Sequence, residues 1–218
     1  METEFRRART PEHKQQRAAD LLDAARRLAR DEGARAVTLT EIASTAGVHV
    51  SAVRRYFESR EEIFLRLADE GWREWALALR ERLSASTDPL GLARTLAETL
   101  DERPLFCDLL AHTPLSLERA VSADVVRSYK RSALAAAHDL AETMGAAVPE
   151  LGDRAARDLV AMAMALAQSL WQIANPPETL AKLYREDTAV AHARVDFVPR
   201  MTRLLHASIL GLIAAQNR

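Results

Sequence analysis

Apolar residues recur every three or four positions along most of this chain, which is the spacing of one face of an α-helix. Stretches that alternate apolar and polar residues, as strands do, are scarce, and proline and glycine fall at intervals that suit helix ends. The pattern therefore predicts an all-α protein of nine or ten helices. The predicted helices are 11–32, two short ones within 38–57, 60–83, 89–100, a short one from Pro104, 116–144, 153–174 and 199–216.

The segment from Thr38 to Phe57 predicts two short helices joined by a tight turn. Gly47 falls at the turn, where the backbone needs an unusual angle, and Thr38 with Glu41 forms a capping-box pattern. These features indicate a helix-turn-helix that fits a DNA major groove, although an ordinary helical hairpin with a glycine turn is the alternative. The apolar positions that pack the two helices together are Ile42, Ala43, Ala46, Val48, Val53 and Phe57.

The second of these helices, predicted from Val50 to Phe57, presents polar side chains on the side opposite its apolar positions. Arginine forks match the O6/N7 edge of guanine, and hydroxyl and phenol groups hydrogen-bond phosphates. We therefore predict DNA contacts here, and the alternative is a solvated surface helix that carries two arginines. The predicted contact residues are His49 just before the helix, then Ser51, Ala52, Arg54, Arg55 and Tyr56.

A second capping-box pattern, Ser59 followed by Glu62, begins the next helix, and Arg60 lies in its first turn. A cation at this end opposes the helix dipole, which prefers anions. The placement is explained if a DNA phosphate comes to the same helix end, where free N–H groups also bind it. A solvated arginine is the other interpretation.

From Thr38 to Ile63 the chain resembles the TetR/AcrR class of one-component repressors, through the residues TLTEIASTAGVHVSAVRRYFESREEI. The resemblance implies a ligand-responsive transcriptional regulator, by default a repressor, which binds a palindromic double-stranded DNA operator as a homodimer and leaves it when a small-molecule effector binds. Two departures concern the operator sequence: Val50-Ser51-Ala52-Val53-Arg54 stands where many members carry Lys-Gly-Thr-Leu-Tyr, and Glu58 replaces a common proline. The positions at which the family contacts DNA are Thr38, Ser51, Arg54, Arg55, Tyr56 and Arg60.

The predicted organisation is a three-helix DNA-binding domain over residues 1–59 and a larger helical domain over 60–218. Residues 1–9, which are basic and have no apolar period, are expected to form a mobile arm or a plain disordered terminus. The long helix that starts near residue 60 contributes to both domains. It therefore provides a physical link through which a ligand signal can pass.

Two later helices, around Leu159–Ala167 and Leu204–Ala214, are apolar on more than one face and rich in small residues. We expect them to form a two-fold four-helix interface in a homodimer, with burial inside a monomer as the alternative. Dimerisation also suits DNA, because two recognition helices about 34 Å apart meet successive major grooves.

Aromatic side chains and methionine are scattered over the helices of the larger domain, and around a cavity they would suit an apolar or amphipathic effector. The same residues are more often plain core. Trp75 is the preferred ligand contact because it lies on the linking helix, and His112 and Tyr129 could orient polar groups. The candidate ligand-binding residues are Trp72, Trp75, Phe106, Leu110, His112, Tyr129, Met162 and Trp171.

Composition limits the remaining possibilities. Hydrophobic residues make up 48% and charged residues 28% of the 218 residues, and the net charge of −1 gives no bulk attraction to DNA. Within the first 60 residues Lys and Arg outnumber Asp and Glu, whereas in the rest of the chain Asp and Glu outnumber Lys and Arg. Cys107 is the only cysteine, which excludes an intrachain disulfide, suits a reducing cytoplasm, and indicates a small buried side chain rather than a thiol sensor.

No apolar run reaches the roughly 18 residues of a membrane helix, and the first ten residues lack the apolar core of a signal peptide. A cytoplasmic location without membrane association is therefore expected. No spacing of histidines, glycines or carboxylates matches a metal site, a phosphate loop or a catalytic motif, so neither an enzyme nor a cofactor is predicted. The main alternative is an all-helical small-molecule carrier or interaction module that does not bind an operator.

Overall fold

The computed structural model describes residues 11–191 and 195–216, and in these ranges the chain forms ten α-helices, two short 3₁₀ turns and no strand. This confirms the all-α prediction. The basic arm predicted at residues 1–9 lies outside the described residues. The helices are α1 (Pro11–Glu32), α2 (Leu39–Thr45), α3 (Val50–Val53), α4 (Arg60–Arg82), α5 (Pro89–Asp101), α6 (Pro104–His112), α7 (Ala123–Ala147), α8 (Gly152–Ala174), α9 (Glu178–Glu186) and α10 (Phe197–Gln216).

The first three helices form the N-terminal unit, whose turns follow local rules. The N–H of Glu41 donates to Thr38 Oγ1 at 3.3 Å, and the N–H of Thr38 donates to Glu41 Oε2 at 2.7 Å, so the capping box that starts α2 is confirmed. Gly47 adopts φ +67° in the turn between α2 and α3, as predicted. Ile42, Ala43 and Val53 are buried and hold the two helices together.

Helix α4 extends from the N-terminal unit into the rest of the molecule. It packs against α1 near its start and against α5, α6 and α7 further along. Its buried residues, from Ile63 to Leu79, belong to one hydrophobic cluster that continues from α1 to α10. The cluster is continuous through α4, and the boundary near residues 59 and 60 remains a prediction.

The C-terminal helices surround the far half of α4. Helix α8 packs against α6, α7 and α10, and α10 packs closely along α5 through Met201, Leu205 and Ile209, all fully buried. None of the helices in the described ranges has a stretch long and apolar enough to span a bilayer.

Both ends of α7 and the presence of α9 differ from the sequence prediction. The hydroxyl of Ser116 donates to the carbonyl of His112 instead of capping a long helix, and α7 begins only at Ala123 with Ser122 as its cap. Gly145 does not end α7, which continues to Ala147, because its φ is not positive and nothing there requires a turn. Helix α9 was not among the predicted helices, and none of its residues is buried.

Candidate nucleic-acid interface and apolar cavity

The candidate DNA-reading surface is α3 together with the turn that follows it. Helix α3 ends at Val53 rather than Phe57, because the N–H groups of Arg55 and Tyr56 donate to carbonyls three residues back, at 3.2 and 2.9 Å. The turn stays compact and the predicted sidedness is preserved. Val53 and Phe57 are buried, Ser51, Arg54 and Arg55 are exposed, and Ala52 and Tyr56 are half-buried.

His49 and Ser51 are hydrogen-bonded to each other at the start of α3. The Nδ1 atom of His49 accepts from the Ser51 N–H at 3.3 Å and lies 2.8 Å from the Ser51 hydroxyl. The ring therefore acts as the N-cap of this helix, a role the sequence analysis missed, and only its Nε2 atom is left for a DNA contact.

The hydroxyl of Thr38 is engaged in a similar way. It lies 2.7 Å from Glu41 Oε2, and this hydrogen bond, followed by the one from the Thr38 N–H, lowers the pKa of Glu41. The predicted phosphate contact of Thr38 thus competes with a local acceptor, because an ionised carboxylate and a phosphate oxygen would share one hydroxyl proton.

Arg60 is turned toward the protein rather than held as a free cation. Its guanidinium donates to the carbonyls of Ala34 and Val37, pairs with Glu61 at 2.9 Å, and lies 4.7 Å from the centre of the Phe64 ring. These bonds fasten the loop between α1 and α2 to the start of α4. They stabilise a cation at a helix end where the dipole disfavours it. The sequence prediction had given that stabilising role to a DNA phosphate.

Three of the candidate ligand-binding residues, Trp72, Leu110 and Tyr129, line a cavity of about 280 Å³. The indole N–H of Trp72 donates to the Tyr129 hydroxyl at 3.2 Å, and burial raises the pKa of Tyr129. The cavity lies between α4, α6, α7 and α8, and Met164 and Gln168 of α8 complete its wall. Its size and largely apolar lining suit a small organic molecule.

A polar pair that the sequence analysis missed lies at the same cavity. The Nζ atom of Lys130 is 2.7 Å from Glu118 Oε1, and both residues line the wall. No motif marks this pair, because Glu118 belongs to a 3₁₀ turn, Leu117–Arg119, that sequence periodicity does not predict.

Trp75 and Phe106 are core residues behind the cavity. Trp75 is fully buried, its indole N–H donates to Thr99 Oγ1 at 3.0 Å, and its ring lies 6.0 Å from that of Trp72. Phe106 packs edge-on against Trp72 at 5.7 Å. Neither residue lines the cavity, so an effector there would act on Trp75 only through Trp72.

The other three candidates are dispersed. Met162 is on the exposed face of α8, and Trp171 packs edge-on against Phe197 of α10 at 5.4 Å. His112 lies at the end of α6, with its Nε2 atom 3.4 Å from Asp108 Oδ1. The structure therefore does not bring these side chains to the cavity.

Known proteins agree with this architecture. Residues 21–67 match the family model described as bacterial regulatory proteins, tetR family, and residues 69–216 match one described as a tetracyclin repressor-like C-terminal domain. An uncharacterized HTH-type transcriptional regulator, YfiR, from Bacillus subtilis (strain 168) is 31% identical over 93 residues. That match spans 43% of this chain and 43% of the relative.

Solved structures share the fold at low sequence identity. The fatty acid degradation regulator FadR from Bacillus halodurans has a TM-score of 0.56 at 16% identity, covering 89% of this chain and 95% of its own. A TetR/AcrR-family regulator from Thermobifida fusca has a TM-score of 0.53 at 20% identity, and the match covers 88% of this chain and 97% of the regulator. RolR, solved in complex with resorcinol, has a TM-score of 0.52 at 17% identity, and the match covers 94% of this chain and 96% of RolR. With a helix-turn-helix at its start and family models matched along most of its length, the chain belongs to the TetR family of bacterial transcriptional regulators.

Proposed function

We propose that the protein is a repressor that binds a palindromic operator as a homodimer and leaves it when a small molecule occupies the apolar cavity. The observation that carries this proposal is the exposed pair Arg54 and Arg55, held outward because Val53 and Phe57 are anchored in the core. A short element fixed in this way can enter a major groove without having to order itself first.

Within this proposal the residues have different tasks. Arg54 and Arg55 read base edges, since each bidentate arginine–guanine contact discriminates by about 1–3 kcal/mol. Ser51, Tyr56 and Thr38 bind phosphates, which sets the register of the protein on the duplex, and His49 contributes through Nε2. Arg60 supports the surface from behind, because its donors are occupied by loop carbonyls.

The homodimer is formed by the faces of α8 and α10 that this chain leaves exposed. On α10 a stripe of Ala207, Leu210, Gly211 and Ala214 is open to solvent at the spacing of one helix face. Small side chains let helices approach closely, and a two-fold axis would pair each stripe with its copy. The corresponding exposed stripe on α8 comprises Met162, Ala165, Ser169 and Ile173.

The effector is an apolar or amphipathic molecule held in the cavity between α4, α6, α7 and α8. Trp72 and Tyr129 supply flat apolar surface, and the ion pair of Lys130 and Glu118 offers polar groups. Because Trp72 belongs to α4, which also packs on α1, occupation of the cavity acts on a helix shared with the N-terminal unit.

The DNA-binding half of the proposal is tested by enrichment of duplexes from a random library on the purified protein. We expect a palindromic sequence to be enriched, and its affinity to fall steeply with salt. Arg55→Ala should lower the affinity for that sequence roughly tenfold to a hundredfold and change binding to unrelated DNA much less. The matched control is Arg127→Ala, which removes an exposed arginine from α7.

Two outcomes would contradict the proposal. Absence of any enriched sequence would favour a carrier or interaction module. An equal loss of specific and unspecific binding in Arg55→Ala would remove Arg55 as a base reader.

A further inference from the structure

The backbone of Ala34, in the loop between α1 and α2, is held from two directions. Its N–H donates to Asp108 Oδ2 of α6 at 2.9 Å, and its carbonyl accepts from the guanidinium of Arg60 at the start of α4. Ala34 is itself buried. The N-terminal unit is therefore tied at one residue to two helices of the rest of the molecule. We call the residues of this connection the Ala34 joint: Ala34, Arg60, Asp108, His112 and Gln172.

Asp108 collects donors from three separate segments. Besides the Ala34 N–H, its Oδ1 atom accepts from Gln172 Nε2 of α8 at 2.9 Å and lies 3.4 Å from His112 Nε2 at the end of α6. A largely buried carboxylate is costly unless it is fully hydrogen-bonded, and charge-assisted bonds are about twice as strong as neutral ones. One side chain of α6 thus fixes the loop of the N-terminal unit against α8.

The same two helices form part of the cavity wall. Leu110 is two residues beyond Asp108 on α6, and Gln168 is one helical turn before Gln172 on α8, and both line the cavity. If α6 and α8 move apart as rigid helices at the cavity, the distance between Asp108 and Gln172 increases as well. The joint is therefore placed where it registers occupation of the cavity.

We propose that Asp108 is a positioning residue for operator binding, which sets the orientation of the N-terminal unit and couples that orientation to the spacing of α6 and α8. This rests on the proposed function, since it takes the N-terminal unit as the DNA reader and the cavity as the effector site. The path from α8 through Asp108 to the loop before α2 does not pass through α4, although Arg60 at the start of α4 holds the carbonyl of the same residue, Ala34.

Other contacts keep the N-terminal unit attached when Asp108 is removed. Arg26 of α1 pairs with Glu70 of α4 at 2.5 Å, and Glu58 accepts from the N–H of Ser122 at the start of α7. Neither contact involves α8. Loss of Asp108 is therefore expected to widen the range of orientations of the N-terminal unit rather than to detach it.

The first measurement is hydrogen exchange of the Ala34 amide in the full-length protein. Asp108→Ala removes the acceptor and should accelerate this exchange roughly tenfold or more. Gln172→Ala removes one donor from Asp108 at an exposed position and should accelerate it by a smaller factor. Asp108→Asn should accelerate it less than Asp108→Ala does, because its amide oxygen still accepts from Ala34 and its NH₂ donates to a reversed Gln172 amide, although these neutral bonds are weaker than those of the carboxylate. Glu142→Gln, which alters an exposed pair with His138 on α7, is the control and should change nothing.

The second measurement is the distance distribution between spin labels at Ser44→Cys on α2 and Asp139→Cys on α7, both exposed positions. Buried Cys107 can stay in place, and labelled chains are diluted with unlabelled ones so that one protomer is observed. We expect Asp108→Ala to broaden the distribution and Asp108→Asn to restore the wild-type width. Affinity for the enriched duplex should fall roughly tenfold in Asp108→Ala with an unchanged salt slope, because no phosphate contact is lost.

The proposal is overturned if Asp108→Ala leaves the Ala34 exchange and the label distribution as in wild type. It is also overturned if Gln172→Ala has no effect, because α8 would then not belong to the joint. If Asp108→Ala does not fold, Gln172→Ala still decides the outcome. A wild-type protein that enriches no DNA sequence contradicts the proposed function, whereas normal DNA binding with a silent Asp108→Ala contradicts this inference alone.

Discussion

Gly71 of α4 lies directly against Phe106 of α6. A Cβ atom built there would clash with Phe106 Cδ2 and lie 2.9 Å from Phe106 Cβ. Phe106 is buried and its ring packs against those of Trp72 and Trp75, so a shift of Phe106 would break these contacts. The absence of a side chain at Gly71 is thus what lets the aromatic cluster behind the cavity form.

Gly71→Ala is accordingly expected to lower the free energy of unfolding by about 1–3 kcal/mol, the usual cost of overpacking a core. Denaturant unfolding measures this, with Gly145→Ala in α7 as the matched control. A Cβ at Gly145 meets no atom within 4 Å, so that variant should be as stable as wild type or more so, since alanine is the better helix former. Equal stability of Gly71→Ala and wild type would mean that the two helices are free to separate.

Cys107 is chemically silent in the folded protein. Burial, together with the charge of Asp101, raises the pKa of the Cys107 thiol to about 12, and the side chain is fully enclosed between α5 and α6. We predict that iodoacetamide at pH 8 leaves the native protein unmodified and alkylates it once it is denatured, as read by mass spectrometry. Rapid alkylation of the native protein would indicate a reactive thiol and revive the sensor interpretation.

Single residues were predictable from sequence where their partners are near in the chain. Glu41 is three residues from Thr38, so the spacing alone revealed their capping box. The hydrogen bonds of Arg60 were not predicted, because its carbonyl partners, Val37 and Ala34, lie 23 and 26 residues away. A guanidinium bound to backbone carbonyls leaves no pattern in the sequence. The contribution of Asp108 was missed for the same reason, since its donors come from three segments.

At the scale of whole elements, helix starts followed the chemistry of their caps, but more than one cap competed for α7. Ser116 and Ser122 both stand before helical sequence, and only Ser122 accepts from an N–H of α7, that of Val125. Ser116 instead donates to a carbonyl of α6. The turn between them, Leu117–Arg119, is what brings Glu118 to the cavity. A difference of six residues in the start of one helix therefore decides which polar groups the cavity has.

Ser122→Ala should destabilise the protein by about 1 kcal/mol through loss of the N-cap, while Ser116→Ala should cost less than about half of that. Both can be compared by thermal and urea unfolding. A larger cost for Ser116→Ala would place the start of α7 at the position that sequence alone predicted.

The connection between α6, α8 and the first loop should also depend on pH. Burial by itself would raise the pKa of Asp108, but hydrogen bonds from His112, Ala34 and Gln172 together lower it. Because the folded-state pKa is below the unfolded value of about 3.9, the stabilisation is present above about pH 4 and is lost as the pH falls through the folded-state pKa. The difference in free energy of unfolding between wild type and Asp108→Asn should therefore be largest near pH 7 and shrink near pH 3. A difference independent of pH would mean that the charge of Asp108 contributes nothing.

For the molecule as a whole, hydrophobic periodicity predicted the number of helices, whereas the packing of the helices determines which of their faces are buried. From sequence, the side chains of Trp75, Phe106 and Trp171 were candidates for the core as well as for a cavity wall. In the fold, all three pack against other aromatic rings. Trp72 and Tyr129 reach the cavity only because α4 and α7 are neighbours. By contrast, α8 and α10 carry apolar stripes on two sides, and each helix uses only one side within the chain.

The open stripe of α10 makes the proposed dimer testable by one substitution. Leu210 is 48% exposed in the single chain, although it stands beside Gly211 and Ala214 in a stripe suited to close helix contact. Leu210→Arg would put an unpaired charge into a two-fold interface and remove about 1 kcal/mol of apolar burial at each copy, since half of the Leu210 side chain is already covered in the single chain. We therefore expect the dimer dissociation constant to rise by at least about a hundredfold, measured by analytical ultracentrifugation.

Leu77→Arg is the matched control, because Leu77 is a 57% exposed leucine on α4, away from both stripes, and its replacement should leave the assembly unchanged. If the palindrome is read by two linked copies, Leu210→Arg should also reduce affinity for the full site toward that for a single half-site, although residues 49–56 are untouched. The two effects must appear together, since the second copy contributes only through the interface. If the Leu210→Arg protein remains dimeric, the interface lies on another face. If it is monomeric but binds the full site as tightly as wild type does, the operator is read by one chain at a time.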